Sequence, residues 1–349
     1  MELPQKMKAA ILVETGQPLV VDEVDLPSDL EAGQVLVKLS YSGICGSQIG
    51  EIDAVKGPDK WLPHLLGHEG SGEVVALGAG VRTVSKGDTV VLHWKPAPGI
   101  EAAPAAYQWQ GKRLNAGWVT TFNEYAIVAE NRVTAVPAQT DLVVAALFGC
   151  AVTTGFGVVT NDANLRIGES VVVFGAGGVG LNVVQAAAMN GAYPVIAVDL
   201  HDNRLKLAKK MGATHTINGS KSDAVSEIGK IVEPGTLDCF IDNTGVPAVI
   251  QSGYELIHGK GRVILVGVPR AGNNINIYSL PMHFGKRFYG SHGGDAAPEI
   301  DIPRYMKLVD AGRMQLKELV TNTYPLDGIN DAINAMRDGS AAGRCVIKF

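Results

Sequence analysis

Three short segments each carry a residue able to ligate a metal and set it beside glycine: Gly43-Ile44-Cys45-Gly46-Ser47, Leu66-Gly67-His68-Glu69 and Phe148-Gly149-Cys150. Two thiols and an imidazole are donors that suit zinc, and three protein ligands leave one tetrahedral position open for water or a substrate oxygen. A metal held that way polarises an oxygen and makes its proton acidic. Singly, each residue reads as a packed thiol or a satisfied histidine. Their common setting, with Glu69 directly after His68, points to one metal on Cys45, His68 and Cys150. Cys239 and Cys345 fall inside apolar runs and read as packing residues.

A second constellation follows. The apolar run Val171-Val172-Val173-Phe174 leads into Gly175-Ala176-Gly177-Gly178-Val179-Gly180, a G-x-G-x-x-G sequence set before an apolar helical stretch. In that setting the first glycine makes a tight turn, the second lets backbone approach a pyrophosphate, and the third lets helix and strand pack closely. The helix N-terminus adds partial positive charge. Asp199 closes the next strand, where a carboxylate accepts from the ribose hydroxyls of a dinucleotide. It would repel a 2′-phosphate, and Leu200 offers nothing to bind one, so NAD is expected over NADP. His201 and Arg204 are the neighbouring groups able to meet a phosphate, and Arg204 can equally serve a ribose hydroxyl.

Positioning these groups takes two scaffolds. Residues 7–136 read as short strands broken by Gly, Pro and Asp, the pattern of a β-rich domain. From about residue 153 the pattern becomes strand, glycine turn and helix in repetition, the signature of a parallel sheet covered by helices. Two helical stretches and a closing strand after residue 291 return to the first domain. The expected fold is therefore α/β. Residues 1–152 and 292–349 form the catalytic domain, and residues 153–291 form a doubly wound, Rossmann-type NAD-binding domain. A chain of 349 residues supports two cores, and 46% apolar with 19% charged residues is ordinary globular usage. The net charge of −5 and the lack of a dense basic run argue against nucleic acid or anionic lipid as partners. Residues 142–161 and 171–198 carry no charge over membrane-spanning lengths, yet glycines, asparagines and Pro194 interrupt them, so a buried core is expected and no membrane. Four scattered cysteines without a secretory leader fit a cytoplasmic protein.

The stretch from Gly67-His68-Glu69 through Gly72 to Gly78 matches G-H-E-x-x-G-x-x-x-x-x-G, and with it the chain resembles the zinc-containing medium-chain dehydrogenase/reductase superfamily. The likeness extends to Gly-Ile-Cys45-Gly-Ser47, the turn Gly149-Cys150-Ala-Val-Thr-Thr154-Gly155, the glycine fingerprint, Val266-Gly267-Val268 and the ending Arg344–Phe349. Cysteine at 150 resembles the alcohol dehydrogenase branch, whose Cys₂His set with an open position is a known catalytic zinc site. The resemblance implies a GroES-like distorted β-barrel for the catalytic domain and a homodimer or homotetramer. It implies hydride transfer between NAD and an alcohol, aldehyde or ketone, with Ser47 taking the substrate proton. Glu69 would tune or transiently bind the metal. Thr154 would pack by the nicotinamide, Val268 would offer backbone to its carboxamide, Arg344 would reach the pyrophosphate, and Arg204 would take the ribose-binding position.

Two departures accompany the likeness. Residues 93–119 hold no cysteine where larger relatives carry a structural zinc lobe, so packing or a partner subunit must order that loop. Gly50 stands where the proton relay usually ends in histidine, leaving water, Glu51, Asp53 or His64 to replace it. Trp94 and Trp118 flank the loop and, with His93, Lys95 and His292, form a candidate lining for a polyol, sugar or aryl alcohol. Two alternatives stay open: a zinc-free quinone or enoyl reductase of the same superfamily, and a fold member that binds NAD without turnover.

Overall fold

The computed structural model describes residues 3–349, which divide into two compact units. One contains the described residues up to Cys150 together with Ala297–Phe349, the other Ala151–Ala296. The crossings fall at 150/151 and 296/297, against expected crossings at 152/153 and 291/292.

The first unit is built on two sheets, mostly antiparallel. In the larger, Gln34–Gly43 is central, flanked by Glu69–Leu77 and Arg344–Lys348 and also paired with Tyr125–Ala129. Glu69–Leu77 pairs on with Thr89–His93, which pairs with Val133–Val136. These strands bury alternating aliphatic residues, among them Val35, Val37, Val74, Val90 and Leu92, each at 0% exposure. The last strand comes from the far end of the chain. Val346 opposes Gly43, which sets Arg344 beside the turn carrying Cys45. The second sheet runs His64–Leu65, Lys6–Leu12, Val20–Asp25, Tyr107–Trp109, Lys112–Leu114.

The second unit holds a six-stranded sheet in the order His215–Asn218, Val195–Asp199, Val171–Phe174, Leu237–Asp242, Ile257–Leu265, Arg287–Gly290. Every neighbouring pair is parallel. This is the doubly wound order, with Val171–Phe174 at the point where the strand order reverses and ligands bind beyond the carboxyl ends. Its strands are continuous apolar runs because helices such as Gly178–Met189 and Pro247–Leu256 accompany the sheet. The uncharged stretch 142–161 becomes short, mostly buried turns of helix broken at Cys150, and among the described residues no single helix is long and apolar enough to cross a membrane.

Candidate metal centre and dinucleotide turn

The three expected ligands converge within the first unit. Cys45 opens the short helix Gly46–Ile52, His68 directly precedes the strand Glu69–Leu77, and Cys150 follows the turn Leu147–Gly149. One ligand atom from each lies within 4.8 Å of the others. A tetrahedral zinc would draw such atoms to about 3.5–3.8 Å from one another, given Zn–S near 2.3 Å and Zn–N near 2.0 Å. The residues present fit that ion. The Nε2 of His68 is buried and finds no hydrogen-bond partner among the described residues, as a metal-facing nitrogen should.

The glycines beside the ligands make room for Glu69. A Cβ on Gly43 would meet the Glu69 carboxylate at 2.3 Å, and one on Gly149 would meet the Leu92 carbonyl at 2.2 Å and Glu69 Cα at 2.7 Å. Glu69 is wholly buried, and its carboxylate lies 2.6 Å from the guanidinium of Arg344, itself 2% exposed. Arg344 also donates to the Ile44 carbonyl at 2.9 Å. The guanidinium expected at the pyrophosphate is thus engaged beneath the metal ligands.

Charge follows from this packing. The Cys150 thiol donates to Cys45 and, with His68 and Arg344, holds the Cys45 thiol well below its usual range despite burial. Cys150, the donor, is pushed up. Burial pulls His68 down, but the Cys45 thiolate outweighs it and the ring is raised overall. Two thiolates, one carboxylate and one guanidinium sum to −2, so a divalent cation would make the cluster neutral, which a buried site requires. By contrast Cys239 and Cys345 are buried in strands, and burial pushes their thiols up to about 12 and about 11.

The relay candidates separate. The Ser47 hydroxyl is buried and unpartnered among the described residues. Asp53 pairs with Arg337 at 2.5 Å. His64 is held by Asp59 at 2.8 Å and by the Leu65 carbonyl at 2.9 Å. Of the three side chains Glu51 alone contacts the residue that holds a metal ligand: its Oε2 lies 3.4 Å from Gln48, which contacts His68, and burial raises its carboxyl. Gln48 itself escaped the sequence reading, although it follows Cys45 by one helical turn. It is 4% exposed and contacts Nδ1 of His68 at 2.9 Å.

The candidate substrate contacts scatter. His93 is 1% exposed, with Nδ1 on the Lys95 carbonyl at 2.7 Å and Nε2 on the Thr134 hydroxyl at 2.9 Å, which leaves neither nitrogen for a substrate. Burial lowers its pKa to about 4. Trp94 is half-buried, while Trp118 is 49% exposed and stacks under Arg132 at 5.5 Å. His292 is exposed and belongs to the second unit.

The loop 93–119 is held at its far part by the strands Tyr107–Trp109 and Lys112–Leu114 and at its near part by the turn Glu130–Arg132. Glu130, 2% exposed, accepts from the backbone N–H of Arg82, Thr83 and Ile100 at 2.6–2.8 Å. Asn131 donates to Glu101, and Arg132 donates to the Trp94 carbonyl and to Glu101.

In the second unit the fingerprint forms the expected turn. Gly175 has φ +91°, and a Cβ on Gly180 would sit 1.9 Å from the Gly175 carbonyl. A Cβ on Gly177 would meet nothing, so this backbone faces open space at the N-terminus of a helix that no side chain caps. Gly178 and Val179 begin that helix. Asp199, 6% exposed, accepts from the Ala176 N–H at 2.8 Å and the His201 N–H at 3.0 Å, with Arg204 at 3.8 Å. A pyrophosphate fits the open glycine backbone. Thr154 is buried in the helix Ala151–Gly157, and Val268 is half exposed after the strand Ile257–Leu265.

Two family models match the chain: "Alcohol dehydrogenase GroES-like domain" over residues 31–138 and "Zinc-binding dehydrogenase" over residues 178–311. The S-(hydroxymethyl)glutathione dehydrogenase of Photobacterium damsela subsp. piscicida is 32% identical, over 99% of this chain and 100% of that protein. An alcohol dehydrogenase class-3 of Cereibacter sphaeroides is 31% identical over the same shares. Among solved structures, an alcohol dehydrogenase zinc-binding domain protein from Burkholderia ambifaria has TM-score 0.89 at 30% identity, covering 99% of each chain. The benzyl alcohol dehydrogenase of Acinetobacter calcoaceticus has TM-score 0.89 at 28% identity, covering 99% of this chain and 100% of that one.

Proposed function

The chain belongs to the zinc-containing medium-chain alcohol dehydrogenase superfamily, and on that premise we propose that Cys45, His68 and Cys150 hold its one catalytic zinc and the glycine turn holds NAD. It is an alcohol dehydrogenase-type oxidoreductase that uses zinc and a nicotinamide cofactor. The observation that carries the metal assignment is the convergence of three ligand atoms within 4.8 Å, with His68 Nε2 unpaired.

When bound, zinc supplies a Lewis acid to the alcohol oxygen and NAD an acceptor for the carbinol hydride. Ser47 takes the hydroxyl proton, since its buried oxygen has no competing partner among the described residues. Glu51 receives that proton in place of the absent histidine at Gly50. Arg344 keeps Glu69 ionised and in place, so the ligand cluster stays neutral with a dication. Thr154 and Val268 serve the nicotinamide. Asp199 favours NAD over NADP because a buried carboxylate at the end of Val195–Asp199 repels a 2′-phosphate, and Arg204 is drawn toward that carboxylate.

For the substrate we favour an aryl alcohol. The register that opposes Glu69 to His93 places Trp94 next to the His68 segment, and a solved structure of similar fold is a benzyl alcohol dehydrogenase. A homodimer or homotetramer is supported by Arg287–Gly290 lying at a sheet edge, preceded by Tyr278 and Phe284 at 70% and 73% exposure. The four free thiols, two of them assigned to metal, suit a reducing cytoplasm. The test is zinc content measured beside a substrate panel followed at the NADH absorbance, with NAD and NADP compared. Well under one zinc per chain, with activity surviving in Cys45→Ser, would sink this reading in favour of a zinc-free reductase.

A further inference from the structure

We propose that Gln48 is a positioning residue that governs how tightly zinc is held, because its amide offers one acceptor between two donors. The inference rests on the zinc assignment above.

Gln48 is buried between three groups. Its Oε1 accepts from the Gly67 N–H, while its Nε2 lies 2.9 Å from His68 Nδ1 and 3.4 Å from Glu51 Oε2. A backbone N–H can only donate, so the oxygen end of the amide is fixed on Gly67 and the NH₂ end must face His68 and Glu51. That arrangement pairs the Gln48 amide, the Gly67 N–H and Nδ1 if Nδ1 of the neutral ring is an acceptor, which puts the ring proton on Nε2. The zinc-free protein therefore keeps His68 in the Nε2–H form.

Zinc on Nε2 reverses the requirement. The Nε2 proton leaves, Nδ1 takes one up, and the new Nδ1–H faces the amide NH₂, donor against donor. Turning the amide over gives Nδ1–H its acceptor and takes it from Gly67, and Glu51 loses its donor. Either way one buried N–H goes unpaired in the loaded state. A carboxylate at this position would accept from both donors, and partners of this kind alter metal affinity by about 10–100-fold. The three ligands of this chain thus bind zinc more weakly than the same ligands backed by a carboxylate, and the ring reaches the metal as a poorer donor.

The test begins on the wild-type protein. Zinc stoichiometry is measured first: failure to bind one zinc would reject the metal assignment itself. With zinc binding established, ¹⁵N spectra of the zinc-free protein, at a pH where the ring is neutral, should show His68 as the Nε2–H tautomer. The Nδ1–H tautomer there would overturn the proposal without any variant. The charge-neutral double variant Gln48→Glu/Glu51→Gln supplies two acceptors and restores the donor at position 51. It should shift the zinc-free ring to Nδ1–H and tighten zinc by about tenfold against a competing chelator. A gain of threefold or more sustains the idea, and a smaller gain or a loss rejects it.

Discussion

The metal cluster and the loop 93–119 lie in the same unit and meet at His93, yet they are built on opposite principles. Around the metal ligands, polar atoms are left over: His68 Nε2 and Ser47 Oγ have no hydrogen-bond partner among the described residues, and the ligand charges sum to −2 once both thiols ionise. Around the loop, the turn Glu130–Arg132 makes its hydrogen bonds with the loop's own backbone and with Glu101, leaving Asn131 Oδ1 and Arg132 Nε unpartnered among the described residues. Leftover polar atoms on a cluster of metal-ligating side chains cost free energy that a bound ion recovers, whereas hydrogen bonds between a turn and a loop fix a shape without one. The chain thus shapes one region by hydrogen bonds among its own residues and the other around three side chains that would hold a metal.

Breaking the metal cluster should give the largest effect. Cys45→Ala, or zinc removal by chelation, is expected to lower turnover by at least about 1000-fold, about 4 kcal/mol of transition-state stabilisation. Resistance of residues 93–119 to limited proteolysis should be unchanged by chelation. Loss of that resistance would show that the two regions are not independent.

The reverse experiment targets the network. Glu130→Ala strands the backbone N–H groups of Arg82, Thr83 and Ile100, and should destabilise the first unit by about 4 kcal/mol, read by urea unfolding. Zinc stoichiometry in the fraction that remains folded should stay at one per chain.

His93 tests the seam. Its ring sits on the Lys95 carbonyl and Thr134 and opposes Glu69 in the sheet, so it is neutral in the folded protein with a pKa lowered to about 4 by burial and by Arg132. The unfolded chain takes up that proton near pH 6.5, so between about pH 6.5 and 4 it binds more protons than the folded one. Stability is full above that window and falls as pH drops through it, by about 3 kcal/mol in all. A His93→Gln variant should lose this part of the pH slope, and an unchanged slope would place the acid sensitivity elsewhere.

How much of this could be read from sequence follows the same division. The glycine turn was legible because its geometry is local: Gly175 needs positive φ, and Gly180 touches the carbonyl of Gly175 within the same turn. The metal ligands were legible through their flanking glycines, although the contacts that make those glycines necessary lie tens of residues away on Glu69 and Leu92. Residue type and position point Arg344 to the pyrophosphate and His93 to the substrate. Their burial depends on a strand from the end of the chain and on the Glu69–His93 register, neither of which periodicity reveals. The Glu130–Arg132 turn carried no motif at all. Gln48 had a usable signal, one turn of helix after a metal-binding cysteine, but its partners Gly67 and His68 come from another segment.

The smallest expected effect asks whether the open region extends beyond the ligands. Glu51 is the one relay candidate that reaches them through Gln48, since Asp53 is held by Arg337 and His64 by Asp59. Burial raises its carboxyl above the usual range, only partly offset by His68, Lys56 and His64. A base with that pKa loses its capacity to accept a proton as pH falls through a value higher than an ordinary carboxylate would give. The acid limb of kcat/KM for alcohol oxidation should therefore lie correspondingly high. Glu51→Gln should lower kcat/KM at neutral pH by about tenfold per zinc bound and flatten that limb, whereas Asp53→Asn should stay within about twofold of wild type. Equal losses in both variants would mean that water, not Glu51, carries the proton out, and the open region would then end at Ser47.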